Sequence, residues 1–324
     1  MKKILIVGCG EIGSRFLQAS LQVNDVNQID VLEFSDQAVE VARSRMNQIH
    51  FDSETIKVNW HKSLNSICQG ADLCIIATQA DGREHIFNEV FNIGIKNILT
   101  EKIVTQSLAT YNEILSNAEK LGVNVWVNCK SRDYPFWKYL KTKIDPEGEL
   151  LYHSIGGNHG LCTNGLHTLD LFAFLSDSKK LVDTNSRIDR ILHTTKRNKY
   201  DLSGAFHLTG AGKSKCIIDF SANGSASVLE IVATQQYRWM FEQSTGRAYE
   251  SSQENKWILE PIPFEGDLSI SNMSIKFISD ILIKNQCGLP TLQQTYPAHE
   301  FLFSVTLPVF NQLIGKEDNV CPCT

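Results

Sequence analysis

Six residues near the start of the chain, Gly8-Cys9-Gly10-Glu11-Ile12-Gly13, restrict its possible folds more than any other feature. They follow an apolar run over 3–7 with strand character and open an amphipathic helix predicted over 12–21. In a strand–turn–helix unit this G-x-G-x-x-G spacing has a mechanism. The first glycine permits the tight turn, the second lets a pyrophosphate approach the backbone, and the third allows close helix–strand packing. The helix then offers free N–H groups and the positive end of its dipole to the phosphates, so all six residues are candidate cofactor contacts. Glu33 stands 20 residues after Gly13, at the end of the second predicted strand, where a carboxylate can hold an adenosine ribose 2′-hydroxyl. It would repel a 2′-phosphate, and its neighbours Phe34-Ser35-Asp36 provide no Arg or Lys to neutralise one. NAD is therefore expected over NADP. For the glycine run alone, a structural turn is the competing reading.

The rest of the first part alternates short apolar runs with amphipathic segments, the pattern of repeated βα units and a parallel sheet. Strands are predicted over 29–33, 55–60, 71–77, 97–100 and 124–128, with helices over 37–48 and 107–121. Thr78 and Gln79, at the end of the fourth strand, should line the crevice outside the strand ends. The second part reads differently: strands over 205–209, 215–221, 227–233, 237–243 and 247–251 are separated by tight turns. Asn223-Gly224 between two apolar runs is a strong hairpin signal, because both central turn residues need positive φ. Helices are expected near 163–175 and 270–284. The expected architecture is an α/β Rossmann domain with a mostly parallel sheet over 1–126, followed by an α+β domain with an open, mainly antiparallel sheet over 127–324. The exposed face of an open sheet usually needs covering, so a homodimer or homotetramer is expected.

Composition narrows the function classes. The 324 residues carry 31 Lys+Arg against 36 Asp+Glu, a net charge of −5, which argues against a nucleic-acid binder. No apolar run approaches the ~18 residues of a membrane helix. The apolar start ends at Gly8, too short for a signal sequence, and a cytoplasmic protein is expected. Nine cysteines, an odd number mostly within apolar stretches and without a C-x-x-C pair, read as reduced, buried thiols with no metal site. Cys321-Pro322-Cys323 reads as a loose terminus.

After the fifth predicted strand comes Thr100-Glu101-Lys102. A lysine at the carboxyl end of a parallel strand points toward the crevice, and covering it with substrate and nicotinamide favours release of its proton. Glu101 and Lys102 are thus candidate cofactor contacts, and Lys102 is also a catalytic candidate. One surface lysine among many is the plainer reading. Further on, a helix starting near Thr163 would place Thr163, His167 and Asp170 within a ~60° arc, since each residue turns by about 100°. A threonine, an imidazole and a carboxylate so aligned can orient a sugar-like hydroxyl and relay its proton. A capping Thr or Asn beside a hydrogen-bonded histidine is the alternative. Arg132, Thr163 and Asn164 are candidate substrate contacts.

The glycine run, Thr100-Glu101-Lys102 and His167-x-x-Asp170, in this order and spacing, resemble the glucose-fructose oxidoreductase / inositol dehydrogenase / MocA family. Asn128 through Arg132 and Pro135 extend the likeness over nearly the whole chain. The resemblance implies hydride exchange between nicotinamide and a carbon bearing a hydroxyl or ketone, on a sugar, sugar nucleotide or cyclitol. It implies that Lys102 hydrogen-bonds the reacting oxygen, that His167 is the acid/base, and that Asp170 binds substrate or orients the histidine. Two departures stand out. Ile103 follows the lysine where the family usually has proline, and Thr163 stands where an Asp is typical, so no carboxylate precedes His167. The 160–167 segment and the Cys-Pro-Cys-Thr ending look like a subgroup associated with surface polysaccharides, which implies an amino-sugar or nucleotide-sugar substrate. A dinucleotide-holding scaffold or sensor without chemistry is the alternative in another class, motivated by Thr163. A methyl transferase also uses a glycine-rich first turn and an acid ending the second strand. Thr100-Glu101-Lys102 and the hairpin-rich second half argue against it.

Overall fold

The computed structural model describes residues 1–64, 70–157, 159–194, 199–221, 227–264, 270–315 and 317–323, with 270 and 271 by backbone alone. The chain forms two compact units. The first comprises Met1–Thr105, Ala109–Asn128 and Asp267–Gln293; the second comprises Gln106–Leu108, Cys129–Gly266 and Gln294–Thr324.

In the first unit, β1 (Lys2–Val7), α1 (Glu11–Ser20), β2 (Val26–Leu32), α2 (Asp36–Met46), β3 (Lys57–His61), β4 (Leu73–Ile76), α3 (Arg83–Asn92), β5 (Asn97–Thr100), α4 (Leu108–Leu121) and β6 (Asn124–Val127) alternate. The strands make one sheet in the order β3-β2-β1-β4-β5-β6, parallel throughout. Parallel sheets are covered on both faces, and the strands accordingly read as continuous apolar runs: Ile4 to Val7 and Leu73 to Ile76 are buried without alternation. The strand order reverses between β1 and β4. That switch point opens a crevice at the carboxyl ends of the strands, where the residues after Val7, Ile76 and Thr100 emerge. The helix over Ile270–Lys284 forms as expected but belongs to this unit rather than to the second. Its buried Phe277, Ile278 and Ile281 give it an apolar face, and it packs on α1.

The second unit holds α5 (Pro135–Lys143), β7 (Leu151–Gly157), α6 (Gly165–Leu175), β8 (Val182–Asp183), β9 (Arg187–His193), β10 (Tyr200–Thr209), β11 (Lys215–Ser221), β12 (Leu229–Ala233), β13 (Tyr237–Glu242), β14 (Arg247–Ser252) and β15 (Glu260–Ile262). The sheet runs β15-β14-β13-β12-β7-β11-β10-β8, with β9 also on β10. It is antiparallel except for β7 beside β11. Turns at Gly210–Gly212 and Gly246 join antiparallel neighbours as expected, with Gly212 and Gly246 at φ +62° and +67°. The hairpin expected across Asn223-Gly224 is corrected: β11 and β12 are not partners, because β7 lies between them and pairs with both. Asn223-Gly224 and Asn158 lie outside the described residues.

Burial alternates along these strands, so the sheet has one covered face. Phe136 of α5 stacks on Phe241 at 4.9 Å, and Tyr152 lies 5.9 Å from Trp137 and 6.3 Å from Phe172 of α6. The terminus is not loose. Cys321 and Cys323 are buried, the Cys321 N–H donates to Gln106 O (2.7 Å), and the Tyr200 N–H donates to Pro322 O (3.0 Å). Three main-chain groups tie the tail down against the loose terminus expected, the third being Cys323 O, which accepts from Gln106 Nε2 (2.8 Å). Among the described residues no helix is long and apolar enough to cross a membrane.

Candidate functional site

The glycine turn of the first unit has the geometry its spacing demands. Gly8 sits at φ +84°, and a Cβ there would lie 2.8 Å from Thr78 Cγ2. A Cβ on Gly13 would fall 2.0 Å from Gly8 O, so α1 can approach β1 only without one. A Cβ on Gly10 would meet nothing within 4 Å; the turn faces open space on that side. That space belongs to a cavity of about 460 Å³ lined by Gly8, Gly10, Glu33, Thr78 and Gln79. The sequence motif and the crevice at the switch point therefore coincide.

Glu33 is fixed by two main-chain donors: Cys9 N–H to Oε2 (2.7 Å) and Ser35 N–H to Oε1 (2.8 Å). Each carboxylate oxygen can accept a second bond, so a pair of ribose hydroxyls fits this oriented group. Glu11 is carried on the first turn of α1, where Arg45 of α2 binds its carboxylate (2.5 Å) and its carbonyl (2.7 Å). Cys9 is buried, which pushes its thiol up to about 12 and leaves its N–H, not its sulfur, as the working group. Ile12 is half-buried behind the turn. The residues next to Glu33 in sequence supply no cation, but the fold does. Lys62, just past β3, donates to Asp36 Oδ1 (2.6 Å) and Phe34 O (3.0 Å) and lines the same cavity. Nothing in its local sequence singles Lys62 out; the one signal is that β3 ends beside β2 in the sheet.

The donor set and the open side of Gly10 fit a dinucleotide. On the far side of the switch point, Thr100 ends β5 and Glu101 follows, buried. Asn128 Nδ2 donates to Glu101 Oε1 (2.5 Å). Burial pushes the Glu101 carboxyl up, against the Asn128 hydrogen bond and the charges of Lys102 and Arg83. Lys102 is half-buried, and the peptide joining it to Ile103 is cis.

In the second unit the expected polar arc is rearranged. The helix α6 begins at Gly165 with Asn164 at its N-cap, so Thr163 lies in the preceding turn and shares no helical face with His167 and Asp170. The Thr163 hydroxyl and N–H both donate to Asp201 Oδ2 (2.5 and 3.2 Å), and the Cys162 N–H donates to Oδ1 (2.7 Å). Asn164 turns its amide to His159 O instead of capping the helix. His167 is half-buried in the first turn, its N–H on Asn164 O (3.0 Å). Asp170 and Arg132 are both buried and grip each other through two bonds, Nε–Oδ2 at 2.7 Å and Nη2–Oδ1 at 2.6 Å, with Arg132 also donating to Gln294 O. Burial pushes the Asp170 carboxyl up and the Arg132 charge pulls it back. The sequence missed Asp201, which meets Thr163 from a strand 38 positions away.

A family model described as an oxidoreductase family with an NAD-binding Rossmann fold, GFO_IDH_MocA, matches residues 2–129. A search of curated proteins returns no match. Among solved structures the chain is similar to the UDP-N-acetylglucosamine 3-dehydrogenase GnnA from Acidithiobacillus ferrooxidans, at 12% identity over 98% of each chain with a TM-score of 0.73. It is similar to an oxidoreductase from Agrobacterium radiobacter in complex with NAD+, L-tartaric acid and magnesium, at 13% identity over 93% of this chain and 94% of that one, TM-score 0.72. It is also similar to KijD10, a 3-ketoreductase from Actinomadura kijaniata in complex with NADP, at 13% identity over 94% and 96%, TM-score 0.69. These likenesses extend the fold over both units.

Proposed function

We propose that this chain, whose residues 2–129 match the GFO_IDH_MocA oxidoreductase family model, oxidises or reduces a hydroxyl-bearing carbon of a nucleotide-linked sugar with NAD as its coenzyme. When bound, the nicotinamide supplies the hydride acceptor or donor. The chain's own residues do the rest. The N–H groups opening α1 face the pyrophosphate, and Glu33, pre-set by Cys9 and Ser35, takes the adenosine ribose hydroxyls. Lys102 hydrogen-bonds the reacting oxygen, and His167 exchanges its proton. Arg132 and Asp170 act as a paired support for α6 rather than as free substrate ligands. The substrate class is drawn from the sugar-nucleotide dehydrogenase and the ketoreductase that share the fold. A second copy of the chain covers the half-exposed face of the nine-stranded sheet.

The observation that carries this reading is the doubly held Glu33 carboxylate at the edge of the glycine-lined cavity. Fluorescence titration of the whole chain should show NADH binding, about tenfold weaker in Glu33→Ala. With UDP-N-acetylhexosamines as a panel, absorbance at the NADH band should report turnover. In Lys102→Met, kcat should fall about 100-fold with NADH affinity kept. Folded protein that binds neither nicotinamide coenzyme would overturn the reading. Full turnover in both Lys102→Met and His167→Ala would overturn the residue roles.

A further inference from the structure

Arg83, the first residue of α3, is a fully buried arginine, 1% exposed. Its guanidinium donates to four main-chain carbonyls: Nη1 to Glu101 O (2.6 Å), Ile103 O and Val104 O (3.2 Å), and Nη2 to Thr78 O. Thr78 follows β4 and Glu101 follows β5, which are neighbours in the sheet. One planar fork thus ties together two crevice loops, the first carrying Thr78-Gln79 and the second Glu101-Lys102. A compact ammonium lacks the fixed spread of donors this needs.

The cost of this arrangement says what it is for. Burying a cation is unfavourable unless its donors are met, and here the guanidinium meets four main-chain carbonyls that an apolar side chain would leave without this donor. Burial draws the Arg83 guanidinium down to about 10, opposed by the charges of Glu101 and Asp81, so it stays cationic at neutral pH. Its hydrogen bonds fall on the residues flanking Lys102 and on the residue before Gln79.

We propose that Arg83 is the positioning residue of the Lys102 loop, fixing through the carbonyls of Glu101, Ile103 and Val104 the backbone from which the Lys102 ammonium reaches the reacting oxygen. This rests on the assignment of Lys102 to proton transfer. Arg83 touches neither substrate nor coenzyme and acts through Lys102.

Two readouts test it in the full chain. The first compares Arg83→Lys in the wild-type and Lys102→Met backgrounds, with any nucleotide sugar the wild type turns over. Arg83→Lys should lower kcat about 30-fold in the wild type and less than threefold when Lys102 is already gone. Equal falls in both backgrounds would mark Arg83 as a structural residue and overturn the proposal. The second readout needs no turnover: amide hydrogen exchange. In Arg83→Lys, the segments around 77–81 and 99–105 should exchange about tenfold faster while β1 and α1 keep their protection. Unchanged exchange in both segments would overturn the proposal, whether or not a substrate has been found. If Arg83→Lys does not fold, Arg83→Gln, which keeps a planar donor, enters the same two comparisons. Full turnover in Lys102→Met would instead sink the role of Lys102, and the exchange result would still decide whether Arg83 holds the loop.

Discussion

Glu230 of β12 is a carboxylate the proposed chemistry does not use, buried beneath the sheet with Gln243 Nε2 on Oε1 (2.8 Å). Burial pushes it up from 4.5 to about 7, softened by Ser154, Tyr152 and Gln243. A carboxyl whose folded value exceeds its unfolded one binds more protons folded than unfolded, so stability falls as pH rises. The fall should begin near the unfolded value of 4.5 and level off above about 7, amounting to about 3 kcal/mol. Glu230→Gln should flatten the urea midpoint between pH 5 and 8 and raise it at pH 8; an unchanged slope would remove Glu230 as its source. At this same scale the sequence was informative where chemistry is local. Gly8, Gly13 and Glu33 were legible because a turn, a close approach and an acid twenty residues on are fixed by chain geometry. Lys62, Arg83 and Asp201 were not, since each acts on a loop that the sheet or a distant strand brings to it.

Among the elements, the turn over 160–164 shows how a segment with the right residues takes a different shape. Gly160 sits at φ +77°, and a Cβ there would lie 2.1 Å from Asp201 Oδ2. The Asp201 carboxylate accepts the N–H groups of Cys162, Thr163 and Leu202, which otherwise have to find other partners. It thereby holds Thr163 out of α6, and the polar arc drawn from a helix starting at Thr163 does not form. Asp201→Ala strands buried donors at about 1–3 kcal/mol each and should lower the melting temperature by several degrees. Asp201→Asn, keeping one acceptor, should recover part of the loss. Calorimetry on the two variants checks this, and a wild-type melting temperature in Asp201→Ala would refute it. The absence of pairing between β11 and β12 has a related origin. A turn signal reports that the chain reverses, whereas β7 claims the position between the two flanking strands through pairing with both.

For the whole molecule, the feature that matters is the open face of the second sheet. Leu151 and Ile155 of β7 are 45% and 37% exposed, and Ile217, Leu229, Ile231 and Met240 lie half-exposed on the neighbouring strands. This is the surface on which the proposed second copy would lie, since exposed apolar patches favour association. Light scattering should give a mass that is an even multiple of the 36.4 kDa chain, and Ile155→Glu should reduce it to a single chain without loss of secondary structure. A wild type already monomeric at micromolar concentration would exclude association through this face.

The chain's own order of residues determined the alternating βα pattern, the glycine turn, the acid that follows it and the lysine ending the fifth strand. Each of these depends on periodicity or on short spacing along one segment. The tertiary structure alone decided that β7 separates β11 from β12, that Ile270–Lys284 packs on α1, that Arg132 closes on Asp170, and that Asp201 and Arg83 set the two loops. Those choices join groups distant in sequence. They follow from which buried donors and acceptors can satisfy one another once the apolar faces have packed.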